Sequence, residues 1–362
     1  LDPKQYTGSW KHLYLEYRSV WVVGSNIRGQ LGLGDDNNRS IPTLLPNIKA
    51  KQISTGGYHT ILIDLQDNVF IFGNNVFGQL GLGDKKPRYI PTLLQNIKAK
   101  QVSAGGNHTV LIDLENNVWV FGYNQYGQLG LGDNKTRLIP TLIPNIKAKQ
   151  VSTRGLHTVL IDLQDNVIVF GNNEAGQLGL GDHNTRSTPT VLPNIKAKQV
   201  SAGEFHTVMI DLEDNVWVFG NNGSGQLGLG DYNESSTPTV IPNIKAEKIY
   251  TGRYHTGVID LQENIWIFGN NMFGQLGLGD NIARLIPTLI PNIKAQHIFF
   301  GGNHTVLIDH QHNIWVFGHN EDGQLGLGNH DDRLIPTHLP NIKAQQISAG
   351  ASHTVIIGTY IQ

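Results

Sequence analysis

One interval governs this sequence. The hexapeptide Gly-Gln-Leu-Gly-Leu-Gly begins at Gly29, Gly78, Gly127, Gly176, Gly225, Gly274 and Gly323, each copy 49 residues after the last. A His-Thr pair keeps the same step at His59, His108, His157, His206, His255, His304 and His353. The two markers interleave without an insertion or deletion, so the chain is seven copies of one unit. A period of this length specifies a solenoid, a propeller or an array. The 42 glycines and 15 prolines recur at fixed offsets, which makes them turn punctuation and not a sign of disorder.

One unit, residues 50–98, shows what repeats. Lys51-Gln52-Ile53-Ser54 reads as a short strand and Thr55 to Tyr58 as a loop. His59 to Asp64 is a β-branched, apolar strand. Leu65-Gln66-Asp67-Asn68 is a turn, and Val69 to Gly73 completes a hairpin. A Gly-rich loop follows, from Asn74 to Asp84. Ile90-Pro91-Thr92-Leu93-Leu94 reads as a fourth strand, and its proline suits an edge because proline cannot donate to a ladder. No stretch has useful helical periodicity. The expectation is an all-β, seven-bladed β-propeller with four-stranded antiparallel blades.

The ends of the repeat carry a second message. The hairpin's second strand occurs first at Val20 to Gly24 with no first strand before it. Its first strand occurs last at His353 to Ile357 with no second strand after it. Pairing these orphans seals the ring and removes two exposed edges. The expected organisation is a non-repeat extension at 1–18, a propeller at 19–358 and a short tail at 359–362. Leu13-Tyr14-Leu15-Glu16-Tyr17 is apolar enough to serve as an extra outer strand or a flap.

Composition narrows the setting. A formal net charge of −2 gives no support for direct nucleic-acid binding. The absence of cysteine excludes disulfides and thiolate metal sites and fits a reducing compartment. No apolar run approaches the ~20 residues that span a bilayer, and no charged-then-apolar leader is visible at the first residue. The expected location is intracellular, with cytoplasm and nucleus both open. The sequons at Asn38, Asn107, Asn134, Asn222, Asn233 and Asn303 read as incidental in a repeat rich in Asn and Thr.

Three motifs together carry a family resemblance: Gly105-Gly106-Asn107-His108-Thr109, then Asn117-Val118-Trp119-Val120-Phe121-Gly122, then Asn124-Gln125-Tyr126 followed by Gly127-Gln128-Leu129-Gly130-Leu131-Gly132. The chain resembles the regulator of chromosome condensation repeat family from residue 19 to 358. The resemblance implies a seven-bladed propeller. Members include exchange factors for the Ran GTPase, chromatin-docking proteins, propeller domains of large ubiquitin ligases and a plant ultraviolet photoreceptor, and one fold with several jobs does not name the job. The chain lacks the protruding hairpin insertion of the Ran exchange factor and a basic tail. It also lacks the photoreceptor's tryptophan before His-Thr; those positions hold Tyr58, Asn107, Leu156, Phe205, Tyr254, Asn303 and Ser352.

Each repeated motif has a structural reading that outweighs a chemical one. A ring of seven histidines is too wide to converge at the ~2 Å a metal requires, so a loop-to-blade hydrogen bond is expected and no metal. The glycine hexapeptide lacks the Gly-Lys-Ser/Thr of a phosphate loop and opens no helix. The Asp–Arg pairs Asp35/Arg39, Asp84/Arg88, Asp133/Arg137, Asp182/Arg186 and Asp280/Arg284 read as local ion pairs. Ser54, His59 and Asp64 cannot form a triad, because the Asp lies about 16 Å along its strand from the His. The lysines of Asn-Ile-Lys-Ala, and the second set at Lys51, Lys100, Lys149 and Lys198, form solvated rings or a weak docking patch for an acidic partner. No cofactor and no catalytic residue is expected.

Departures from the repeat are therefore the signal of specificity. Strand alternation puts the first-to-second and third-to-fourth loops on one face, and that face carries the variety. Its inner loops hold Tyr58, Asn107, Arg154, Leu156, Glu204, Phe205, Arg253, Tyr254 and Asn303, with Arg154 standing where the other six units have glycine. Its outer loops add Phe77, Tyr126 and Phe273. Aromatics and arginines on loops held by a rigid scaffold make a binding surface. The reading is a non-catalytic scaffold that recruits a protein partner through this face. The alternative is a nucleotide-exchange factor or regulator of a Ran-like small GTPase, and a weaker one is a structural or packaging protein.

Overall fold

The computed structural model describes residues 18–361, and strands account for most of them. Hairpins such as β3 (His59–Asp64) and β4 (Asn68–Gly73) repeat around the chain. Between hairpins the backbone does something the sequence reading did not anticipate. The expected fourth strand of one unit and first strand of the next are a single 17-residue strand, as in β2 (Arg39–Thr55), whose first part pairs with β1 (Ser19–Gly24) and whose last part pairs with β3. Each long strand is thus the outer edge of one blade and the inner edge of the next. Pro-Asn-Ile-Lys-Ala looks like a linker, yet Asn47 absorbs the step at φ 60°, as Asn96, Asn145, Asn194, Asn243, Asn292 and Asn341 do at the other crossings. Asparagine tolerates this left-handed backbone, so at six of the seven crossings the ladder shifts register without ending.

Six crossings are unbroken 17-residue strands. The seventh is split into Arg284–Leu289 and His297–Phe300. The ring closes as the orphan strands imply. Before the last strand, β22 (His353–Tyr360), comes β21 (Arg333–Ala349), and β22 lies between β1 and β21 with Ser19 opposite Gly358 and Gly24 opposite His353. The result is a seven-bladed, all-β propeller of four-stranded antiparallel blades. The proposed extension at 1–18 lies, apart from Arg18, outside the described residues, and β22 runs on through Tyr360.

The core sits between blades. Ile61, Ile63, Val69 and Ile71 of one hairpin pack with Val102, Ala104, Leu111 and Phe121 of the next. With both faces covered, β3 is apolar or buried at nearly every position instead of alternating. The glycine hexapeptide makes the same junction. Leu31 is buried with Leu62 and Phe72, and Gly32 at φ 71° lies so close to the Phe72 ring that a Cβ would sit 2.8 Å from it. Only glycine satisfies both the positive φ and that approach. The repeated motif is therefore the cap that one blade lays on the next.

Candidate functional site

The innermost strands surround the bore, and their loops form a collar at one mouth. Loop backbones join blade to blade: Gly57 N–H donates to the Gly105 carbonyl, Gly106 to Gly155 and Gly155 to Gly203, each at 3.3 Å. Beneath this collar runs a belt of buried histidines. His59 Nε2 lies 3.1 Å from Thr109 Oγ1, and that hydroxyl donates to the Gln79 carbonyl at 2.8 Å. A hydroxyl has one proton to give, so the imidazole must be the donor. His108, His157, His206, His304 and His353 make the equivalent bond to the next blade, the last closing on Thr60. Burial holds these imidazoles at about 3 to 4, neutral at ordinary pH.

The belt breaks once. Neither ring nitrogen of His255 has a partner among the described residues. Its neighbour is Phe300, whose ring meets the imidazole edge-on at 4.4 Å. The other units carry Thr or Ala where Phe300 stands, and Gly257 replaces a branched residue to make room, since a Cβ there would be 2.6 Å from the Phe300 ring. This is the same junction at which the long strand is split.

Above the collar lies a depression of about 290 Å³. Its lining brings together Tyr58, Asn107, Arg154, Glu204, Arg253 and Asn303 from six different blades, with His319 and Ser352. Arg154 is its most unusual member. Its side chain leaves one blade, crosses the bore, and donates from Nη1 to the Phe300 carbonyl three blades away at 2.9 Å. Burial draws its pKa down to about 10, Glu204 opposes that and Arg253 adds to it, so the guanidinium stays charged at neutral pH. Among the described residues Arg154, Arg253 and Glu204 form no ion pair with one another.

The remaining candidates lie around this depression, not in its lining. Phe205 and Tyr254 stack at 6.3 Å between centroids, and the Arg253 guanidinium sits 5.2 Å over the Tyr254 ring. Phe77 meets Tyr123 edge-on at 4.9 Å, and Tyr126 follows at 6.4 Å. Phe273 meets His319 edge-on at 4.4 Å. Leu156 is half-buried and joins neither cluster. Tyr123 and His319 were missed in the sequence. The signal was present, since both occupy a loop position that is Asn74, Asn172, Asn221 or Asn270 in four other units.

The other repeated polar groups are structural. Arg39 pairs with Asp35 at 2.6 Å and holds that carboxyl below the usual range, with equivalent braces at Arg88, Arg137, Arg186 and Arg284. Lys98, Lys147, Lys196, Lys245, Lys294 and Lys343 each cap a turn carbonyl. Lys51, Lys149 and Lys198 pair with Asp67, Asp165 and Asp214, which neutralises three lysines of the second set, while Lys100 bonds to the neutral amide of Asn116. Among the described residues no helix is long and apolar enough to cross a membrane.

Comparison with known proteins agrees with this architecture. No curated protein matches the sequence. The chain's fold is similar to that of human WBSCR16, at 20% identity over 95% of this chain and 100% of that one, with a TM-score of 0.86. It is similar to Prp20p from Saccharomyces cerevisiae, a structure described with its binding properties to Gsp1p and histones, at 21% identity, 95% and 92% coverage and TM-score 0.86. It is also similar to yeast RCC1 (Prp20) bound to Kap60, at 20% identity, 98% and 92% coverage and TM-score 0.85. At such identities the likeness is one of fold. The sequence itself matches the RCC1-like domain over residues 18–248 and the regulator of chromosome condensation (RCC1) repeat over 262–308 and 311–357. The chain belongs to the RCC1 repeat family.

Proposed function

We propose that this propeller is a protein-binding scaffold and that the partner docks on the face carrying the axial depression. The observation that supports this is a contrast within one molecule. Six of the twelve candidate side chains, one from each of six blades that are otherwise near-copies, line a single depression, and aromatic pairs lie on the same set of loops. A convergence of aromatic and arginine side chains on rigid loops is what an interface's energetic centre is made of. Folding does not require these groups, because other units fold with glycine, alanine or serine at the same positions.

Replacing Tyr58, Arg154, Phe205, Arg253 and Tyr254 together by alanine should abolish partner capture and leave the melting curve unchanged within a few degrees. The check is affinity capture with mass spectrometry, run with wild type and variant side by side. Undiminished capture by the variant would remove this face from the proposal.

A second reading is exchange activity on a Ran-like GTPase. It draws support from the family and from the likeness to Prp20p, whose structure is described with Gsp1p binding. Stopped-flow release of a fluorescent GDP analogue from such a GTPase should accelerate on addition of this chain if the reading holds. No acceleration eliminates it and leaves the scaffold reading in place.

A further inference from the structure

Arg154 sits where glycine is sterically demanded. In the six other units a Cβ at this position would lie 2.0 to 2.4 Å from the Cε1 of the belt histidine that follows. The third unit accepts a full arginine there and still forms its His157–Thr207 bond at 3.0 Å, so its loop has moved to admit the side chain. A residue that breaks a local packing rule without improving the packing marks a functional position. The side chain does not settle on the surface either. It runs across the bore and is anchored by one N–H to the Phe300 carbonyl, a group at the single irregular blade junction. That one bond tethers the guanidinium at Nη1. Arg154 makes no other hydrogen bond within the described residues and lines the depression.

The charges there do not cancel. Arg154 and Arg253 contribute two positive units and Glu204 one negative, which leaves one positive unit in a depression of about 290 Å³. That space admits a short side chain or a chain end with a few neighbouring atoms, and Asn107 and Asn303 add amide donors to its wall. A planar fork of N–H donors matches the two oxygens of a carboxylate.

We infer that the axial depression is a carboxylate-binding site, with Arg154 as the anchoring cation that receives one acidic group of the docked polypeptide. This rests on the reading that a protein docks on this face. The acidic group comes from a Glu or Asp side chain or from a free C-terminus. Both present the same two oxygens, and the test separates them.

Three short peptides serve as probes: acetylated and amidated Gly-Glu-Gly, the same peptide with Gln for Glu, and acetylated Gly-Gly-Gly with a free C-terminus. Binding is followed by NMR on the Arg154 Nε–H resonance and by calorimetry. At least one carboxylate peptide should bind and shift that resonance, and the one that does identifies the source. The Gln peptide should bind about tenfold more weakly or not at all, because a charged hydrogen-bond pair is lost. Arg154→Gly should abolish binding while melting at or above the wild-type temperature, since it restores the residue of the six other units. Arg154→Gln, which keeps the side-chain reach, should abolish it as well. Equal binding of the Gln peptide, full binding by Arg154→Gly, or no binding of either carboxylate peptide to the wild type each overturns the carboxylate site. None of those results affects partner capture by the aromatic clusters, so the docking proposal stands or falls separately.

Discussion

Acidification from pH 7 to pH 5 should unfold this propeller without any denaturant or heat. Seven belt histidines are fully buried, six of them with folded pKa values of about 3 to 4 and His255 lower than its ordinary value for the same reason, burial. In the unfolded chain each returns to about 6.5. Below that value the unfolded state binds protons that the folded state refuses, so stability is complete above 6.5 and drains as pH falls towards 3. At pH 5 each of those six histidines costs roughly 2 kcal/mol of stability, about 12 kcal/mol together, which rivals the whole stability of an ordinary domain, and His255 acts in the same direction. The loop aspartates such as Asp35 and Asp84, held low first of all by their arginine partners, lose their contribution only at more acid pH and act in the same direction. Urea titrations at pH 7.5, 6.5, 5.5 and 5.0 measure the slope. An unfolding free energy that stays flat between pH 7 and 5 would show that the histidines are not neutral and buried as described.

Removing the last strand should be nearly as damaging. Truncation after Ser352 deletes β22, and with it Val355, Ile356 and Ile357, all essentially without solvent contact. Those three side chains alone represent about 7 kcal/mol of apolar burial. The loss also leaves β1 and β21 with open edges and removes the His353–Thr60 link between the last blade and the first. The truncated chain should melt about 10 °C lower or more, with broadened cooperativity and a tendency to self-associate. A synthetic peptide covering 353–361 should restore the transition by adding back the missing strand. A truncated chain with an unaltered melting curve would mean that the blade does not depend on this pairing.

The sequence was most informative where identical units made the same statement many times. The period, the blade count and the closing pair of orphan strands were all legible because each follows from positions, not from propensities. The fused strand was not legible, since Pro-Asn-Ile-Lys-Ala has the composition of a turn. Only the backbone shows that Asn47 takes the φ of 60° that lets pairing continue past it. That the variable loops share one face was readable, but the grouping of their side chains was not. Nothing near Arg154 in the chain announces a partner 146 residues away, because that contact depends on the width of the bore. The displaced His255 depends on Phe300 and Gly257 together, two departures that look unrelated until they touch. Tyr123 and His319 were less legible because they stand at a position that is Asn in four other units and belongs to the otherwise uniform start of the outer loop.

The closing pair has a mechanical consequence. Ser19 begins β1 and faces Gly358 near the end of β22, so the first and last described strands end side by side on the same face of one blade. Tension applied through them would load the inter-strand hydrogen bonds one at a time, as a zipper, and not all together in shear. A ring held shut by buried strands against thermal opening would therefore yield at low force when pulled by its ends, peeling from its last blade inward while the other blades stayed folded.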